Sequence, residues 1–408
     1  MTTSVLDRSR GVATPGARSL ARRLALDATV PAVLFASAAI IVGLHWDIAW
    51  HRSIGRDTFW SAPHVLEQLA AAVAGLFCGW RVLYTSFLGT DEDRGRAVRF
   101  WRVFYGPLGA WVCIWGTIAM ITSAPFDDWW HAAYGLDVEI LTPPHVFLLI
   151  GMVTVQLGAM LMMLTEQNAS TATSGRTRLL FATSMGLIVL MVATMVYAET
   201  GLPNLQHAPA FFIISAALFP VFLVAVARGG RGRWPATTAA LTYMLVLMAL
   251  NWVLVQVPAT PKLAPIYNPV TTLVPPGFPI LLVLPAIAID VLMRRVRVND
   301  WLLAPLLGVV FLTALVAVQW PFASFLLTFE DPNPFFGVQY WGYSERLGPW
   351  THLFFDVPGY TYDRAAGTMV GSLDLAAMGR GMAFALALGA VSSRVGLWWG
   401  RWMTRVRR

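Results

Sequence analysis

Long apolar runs, separated by short polar stretches, dominate the chain from residue 28 to residue 398. Each run has about 20 residues, the length that a helix needs to cross the hydrocarbon core of a bilayer. The first run is too long for a signal peptide and ends in polar residues rather than at a cleavage site. We therefore predict an all-α polytopic bundle of about ten membrane-spanning helices, at residues 28–50, 64–88, 101–124, 144–165, 178–198, 207–227, 235–257, 276–293, 301–319 and 377–398.

The predicted spans form a single transmembrane helical domain, residues 28–398, between two basic ends. Residues 1–27 form a basic N-terminal segment and residues 399–408 a basic tail. The longest connection, residues 320–376, is rich in proline, glycine and aromatic residues, and we predict an outer loop there. A loop of this composition lies on the membrane surface as part of an aromatic belt, covers a site or meets a partner.

Composition and charge agree with a membrane protein. The chain is 57% hydrophobic and only 12% charged, whereas a soluble domain has about 25% charged residues, which excludes an ordinary soluble enzyme. The formal charge of +7 does not predict a nucleic-acid partner, because most of the basic residues fall in alternate connections. Cytoplasmic loops hold such an excess. We therefore expect both termini in the cytoplasm and a location in the plasma (cytoplasmic) membrane.

A polar motif occurs twice, each time where one predicted helix ends and the next begins. Both copies read D-x2-W-H-x3-G-x-D and continue, after five or six residues, with P-H-V. Eight matched positions with one gap indicate an internal repeat, two helical hairpins within residues 44–150, each with its polar tip at the outer side. The polar members are Asp47, His51, Asp57 and His64 in the first copy and Asp127, His131, Asp137 and His145 in the second.

The spacing brings one carboxylate and two imidazoles together in each hairpin. An Asp and a His four residues apart share a helix face, and Pro-His suits the first turn of the returning helix. Such a set suits copper, iron(II) or zinc. A thiolate zinc site is excluded, because only two cysteines are present and both lie in apolar runs. We predict metal ligation by Asp47, His51 and His64, and by Asp127, His131 and His145. The alternative is that these groups cap helices and hydrogen-bond at the interface.

Six further residues are candidates for supporting roles around these sites. Asp57 and Asp137 orient ligating histidines or cap helices. Glu67 lies one turn after His64, a spacing that is compatible with contact to the same metal site and equally compatible with no contact. His45 lies off the helical face of Asp47, which argues against direct ligation, while Glu199 and His207 flank the next outer turn as added ligands, proton relays or ordinary caps.

The first copy resembles the C subunit of the particulate methane and ammonia monooxygenases. The residues that carry the resemblance are D-x2-W-H from Asp47 to His51, then Arg56-Asp57-Thr58, then Pro63-His64. The family's copper ligands are an Asp, a His four later and a His thirteen after that, which correspond here to Asp47, His51 and His64. Its second set, an Asn and two His, corresponds to Asp127, His131 and His145, so the Asn is an Asp in this chain.

This resemblance is firm over residues 44–150. It implies a copper-binding subunit of a membrane monooxygenase that oxidises a small apolar or ammonia-like substrate with O2. It also implies a quinol electron donor and other monooxygenase-like subunits. Iron and zinc stay open as alternative metals, and an oligomer is left open.

Three classes of function follow from the same ligands. The first is a copper-dependent membrane monooxygenase, or the subunit that carries its metal site. The second is a non-enzymatic copper-handling protein that transports, delivers or senses the metal, although no Cys-rich or Met-rich path runs through the spans. The third is a metal hydrolase that activates water. A structural or channel role without metal completes the set.

Overall fold

The structure of the chain is a computed structural model. It describes residues 25–55, 60–135, 142–169, 175–203, 205–262, 270–326, 328, 333–337, 360–363, 368–371 and 374–407.

Nine described helices are long and apolar enough to cross a membrane. They are α1 (Thr29–Ser53), α2 (Ala62–Phe87), α4 (Leu108–Tyr134), α5 (Pro143–Ala169), α6 (Gly175–Met195), α8 (Pro209–Gly229), α9 (Pro235–Leu254), α11 (Asp300–Leu326) and α12 (Leu375–Met403). The shorter elements are α3 (Asp91–Gly95), the antiparallel strands β1 (Val98–Phe100) and β2 (Phe104–Gly106), α7 (Tyr197–Thr200), a 3₁₀ turn (Leu205–His207), α10 (Val283–Arg295) and the antiparallel strands β3 (Tyr360–Asp363) and β4 (Thr368–Gly371). The predicted all-α polytopic bundle is confirmed, and the chain is a multi-pass membrane protein.

Most predicted boundaries differ from the structure by a few residues, and two of the differences change which element a residue belongs to. The third predicted span starts at residue 101, but the β1–β2 hairpin precedes the helix, which begins at Leu108. The predicted outer loop starts at residue 320, yet α11 continues to Leu326 with Trp320 inside it. The apolar sequence after residue 319 sustains the helix through Pro321, and the part of the loop at residues 338–359 lies outside the described residues.

The largest departure is at the eighth predicted span, residues 276–293. Only Val283–Arg295 is helical, and residues 270–282, here called the extended segment, form no helix although most of them are buried. A proline lacks the N–H that a helix needs, and its ring clashes with the preceding turn. The extended segment contains Pro275, Pro276 and Pro279.

Polar side chains on other helices satisfy this extended backbone. A buried N–H without a partner is costly, and irregular backbone at membrane depth is tolerated only where protein or a water-filled cavity surrounds it. The hydrogen-bonded pairs are Leu281 N with Gln319 Oε1 (2.8 Å), Ile280 N with the Tyr243 hydroxyl (2.8 Å) and Val274 N with Ser53 Oγ (2.7 Å). The length of the apolar run predicted a helix here because hydropathy takes no account of these side-chain hydrogen bonds to the backbone.

One end of the bundle is held together by charged and amide groups. Asp300, at the start of α11, pairs with Arg228 of α8 (3.0 Å) and with Arg401 of α12. Asn168 of α5 donates to the Met403 carbonyl at the end of α12 (2.9 Å). These contacts bring together the ends of α5, α8 and α12 and the start of α11. This is the arrangement expected when successive helices cross the membrane in opposite directions. We call this end the basic end.

Helices α4 and α5 pack closely through glycines. A Cβ added at Gly158 would lie 2.7 Å from the Cys113 backbone nitrogen, and one added at Gly116 would lie 2.8 Å from the Gly151 carbonyl oxygen. Small residues of this kind let the backbones of membrane helices approach. This contact fixes the two helices that carry the second copy of the polar motif.

We predict that Gly158→Ala lowers the stability of the protein in detergent by about 1–3 kcal/mol, the usual cost of overpacking. The matched control is Gly79→Ala, in α2, because a Cβ there meets nothing within 4 Å. Thermal unfolding followed by intrinsic fluorescence compares the two. Equal melting temperatures for both variants would contradict the close α4–α5 contact.

Candidate metal centre

Both copies of the motif end their first helix in the same way. Gly55 and Gly135 stand four residues after the motif histidines, and their φ angles are +99° and +84°. Only glycine adopts such values at low cost, and a residue of this kind commonly ends a helix. The motif prolines, Pro63 and Pro144, are each the second residue of the returning helices α2 and α5, so the motif glycines and prolines shape both hairpins.

The first hairpin brings its three predicted ligands together. His51 Nε2 lies 3.4 Å from Asp47 Oδ1, and His64 Nε2 lies 3.0 Å from the same oxygen. One donor atom from each residue falls within 4.8 Å of the others. All three side chains are partly buried, so the set forms a compact carboxylate–imidazole cluster between α1 and α2, which we call the first trio.

The second hairpin has the same residues in a wider arrangement. His131 Nε2 lies 3.5 Å from Asp127 Oδ2, whereas His145 Nε2 lies 3.7 Å from Asp127 Oδ1. The two imidazoles therefore approach opposite oxygens of one carboxylate. We call these residues the second trio. In the described part of the chain, only the first trio has one donor atom from each of three such residues within 4.8 Å of the others.

Hydrogen bonds orient the rings of the second trio. His131 Nδ1 lies 3.1 Å from the Gly135 carbonyl oxygen, and His145 Nδ1 lies 3.0 Å from Thr142 Oγ1. Engaging Nδ1 in this way leaves Nε2 directed at the aspartate, the arrangement typical of metal-binding histidines. The glycine that ends α4 thus also positions a candidate ligand.

A small cavity connects the two trios. It lies between α2, α4 and α5. Its volume of about 10 Å³ is enough for about one water molecule. Residues of both trios line it: His64 from the first and Asp127 and His145 from the second. The two sites therefore adjoin one polar space.

Glu67 lines the same cavity. Its side chain is 1% exposed, and its Oε1 has no hydrogen-bond partner among the described residues. Gly43 of α1 makes room for it, because a Cβ at that position would lie 2.5 Å from Glu67 Cγ. A buried carboxylate in this setting is expensive and is usually functional.

Two other candidate residues form hydrogen bonds away from the trios. His45 is buried, with Nδ1 2.8 Å from the Ile41 carbonyl oxygen and Nε2 3.0 Å from Thr194 Oγ1. His207 Nε2 lies 3.1 Å from the Trp320 carbonyl oxygen and 3.0 Å from Ser324 Oγ. The first links α1 to α6 and the second links the 3₁₀ turn to α11.

The remaining candidates are Asp57, Asp137 and the Glu199 side chain, which lie outside the described residues. Sequence reasoning missed Gly43, which accommodates Glu67, and Gln68 and Ser123, which line the cavity. Their roles depend on contacts between helices, and no motif marks them.

The comparisons with known proteins find no relative. No protein-family model matches the chain, and no curated protein or solved structure matches it. The family resemblance therefore rests on the motif residues alone.

We predict that Gly43→Ala lowers stability by about 1–3 kcal/mol because its methyl group displaces Glu67. In a Glu67→Ala background the same change should cost at least 1 kcal/mol less, since residues in contact couple by about that amount. A double-mutant cycle on thermal unfolding measures the coupling. Additive costs would show that Glu67 does not occupy the space beside Gly43.

We also predict a pH effect at His207, which lies outside the membrane spans. Burial lowers the pKa of His207 below its ordinary value of 6.5, opposed by the hydrogen bond to the Trp320 carbonyl. The unfolded chain then binds the proton more readily, so this group's stabilisation is present above about pH 6.5 and is lost as the pH falls.

The stability difference between wild type and His207→Asn should therefore shrink as the pH falls below about 6.5. Thermal unfolding of both proteins over a pH series provides the comparison. Parallel curves for the two proteins would contradict the prediction.

Proposed function

We propose that the chain is a copper-binding integral membrane protein, either a monooxygenase or the subunit of one that carries its metal site. The observation that carries the proposal is the first trio, Asp47, His51 and His64, with donor atoms from all three residues within 4.8 Å. The resemblance of the motif to the monooxygenase C subunit supports copper rather than iron or zinc.

The donor set suits a copper ion. Imidazole and carboxylate ligands bind divalent transition metals at about 2 Å, so ligands of one ion lie within about 4 Å of each other. Bringing the first trio's donors from 4.8 Å to that separation requires a shift of less than about 1 Å. The Asp47 Oδ1 atom is buried and lies within 3.4 Å of both imidazole nitrogens, so a cation bound there would be reached by all three residues.

Residues of two helices hold the first site. His51 and His64 present Nε2 from two different helices, and Asp47 supplies negative charge between them. Bound copper supplies one-electron and O2 chemistry.

The second trio offers the same kinds of donor, and its replacement of the family's Asn by Asp127 adds a negative charge. Because its donor atoms are more widely spaced than those of the first trio, we propose that it is a second, weaker copper site.

The surroundings agree with a small apolar or ammonia-like substrate that is oxidised with O2. Both trios lie at the ends of membrane helices whose other residues are mainly apolar. The cavity between the two trios has room for about one water molecule. By the same resemblance, a quinol donates electrons and further subunits complete the enzyme.

We further propose that the trios face the outer side of the plasma membrane and that both termini are cytoplasmic. Helix ends that lie together at the basic end, such as those near Arg228, Asp300 and Arg401, belong to connections with many arginines. Basic residues favour the cytoplasmic side, and the trios lie at the opposite ends of their helices.

Metal analysis tests the proposal. Purified protein, reconstituted with copper and then desalted, should retain one to two copper ions per chain by mass spectrometry, as the sum of the two trios requires. His51→Ala and His64→Ala should each remove about one equivalent, and His131→Ala only the weaker fraction. The matched control is His207→Ala, which removes a histidine outside both trios and should leave the copper content unchanged.

Equal copper loss in the control, or no copper in wild type, would contradict copper binding at the trios. Activity then distinguishes the two classes of function. Membranes with copper, reductant and partner chains should form a hydroxylated product only with O2. Copper uptake into vesicles without any product would instead favour the copper-handling alternative.

A further inference from the structure

A groove on the bundle surface, remote from both trios, lies between α9, α10 and α11. Its volume is about 330 Å³, and apolar side chains form its whole lining. These include Leu241, Leu245 and Met248 of α9, Leu284 and Ile287 of α10, and Val318 of α11. Leu241, Leu245 and Leu284 are 42–61% exposed, so the groove opens on the side of the bundle, where lipid surrounds a membrane protein.

The groove exists because α10 is short. Residues 270–282 are not helical, and the helix has only 13 residues, so no full span fills the space between α9 and α11. Leu281, at the end of the extended segment, lies beside the groove. The lining has no polar group with which a polar molecule could pair.

Towards the basic end, the face of the groove becomes cationic. Arg294 lies seven residues after Ile287 and Arg295 eleven after Leu284, spacings that keep them on the same face of α10. Trp234, which precedes α9, lies under the Arg294 guanidinium, 3.6 Å from its carbon to the ring centroid. Arg297 follows the helix end, and all three arginines are exposed.

The acidic groups nearby have other partners. Asp290 accepts hydrogen bonds from the Ala236 and Thr237 backbone nitrogens at the start of α9. Asp300 pairs with Arg228 and Arg401. Asp290 also interacts electrostatically with Arg294, but one carboxylate against three arginines leaves this patch with a net positive charge.

We propose that an anionic phospholipid binds here, with its headgroup at Arg294, Arg295 and Arg297 and one acyl chain in the groove. Seven helical residues separate Ile287 from Arg294, which is about 10 Å along the axis. That is the separation expected between a phosphate and the chain atoms below the glycerol backbone. A tryptophan at this level is typical of the membrane interface, and basic pockets between membrane helices bind anionic headgroups. The proposal is independent of the metal sites.

Lipid titration of the full chain tests the proposal. Delipidated protein in a neutral detergent is titrated with phosphatidylglycerol or with phosphatidylcholine of identical chains, and native mass spectrometry counts the bound lipid. Wild type should prefer phosphatidylglycerol. Arg295→Gln with Arg297→Gln should weaken its binding roughly 25-fold, given about one kilocalorie per arginine, and should leave the Arg294–Trp234 contact in place.

Two further variants separate the headgroup from the chain. Leu284→Trp fills the groove and should weaken both lipids at least fivefold, with thermal unfolding as the check on folding. The matched control is Arg405→Gln with Arg407→Gln, which removes two exposed arginines from the C-terminal tail at the basic end and should change neither affinity.

Four results would overturn the proposal. Equal affinity for the two lipids, or equal weakening by the tail control, would indicate unspecific attraction. Unchanged binding in a folded Leu284→Trp would remove the acyl chain from the groove. Competition by inorganic phosphate or glycerol phosphate as strong as that by phosphatidylglycerol would assign the arginines to a soluble phosphate.

Discussion

A single carboxylate at the end of a membrane helix sets the strongest constraint on this structure. Asp47 Oδ1 lies within 3.4 Å of two imidazole nitrogens, one on its own helix and one on the next. A charge taken out of water is costly unless it is paired, so α1 and α2 must keep a fixed register. His64 is within reach only because the hairpin turns after Gly55 and restarts at Pro63.

The rest of the bundle supports that hairpin through polar contacts at its tip. The Ser53 hydroxyl accepts from Val274 N, and the Ile54 carbonyl accepts from Lys262 N. The extended segment that covers α1 is held in turn by Gln319 and Tyr243 on other helices. The end of α1, which carries two residues of the first trio, is therefore held by hydrogen bonds to a neighbouring backbone, while the α4–α5 glycine contact positions the second trio. This difference agrees with the closer spacing of the first trio.

The sequence predicted the helical bundle and the pairing of Asp47 with two histidines, because helical period, repeat spacing and proline position are local properties. It did not predict the extended segment, since hydropathy counts apolar length and ignores whether a backbone N–H finds a partner. The burial of Glu67 against Gly43 and the link from His45 to Thr194 also escaped prediction. Both depend on which helix faces which, and no repeat or motif encodes that choice.

The copper site that we propose consists of two imidazoles and one carboxylate of the first hairpin. X-ray absorption spectroscopy of a His131→Ala variant loaded with one copper per chain tests it most directly, because the second trio is then incomplete. We expect two imidazole nitrogens and at least one oxygen at about 2 Å from the copper, with one imidazole lost when His51→Ala is added. Sulfur ligands, or a spectrum unchanged by that second substitution, would show that the first trio does not bind the copper ion.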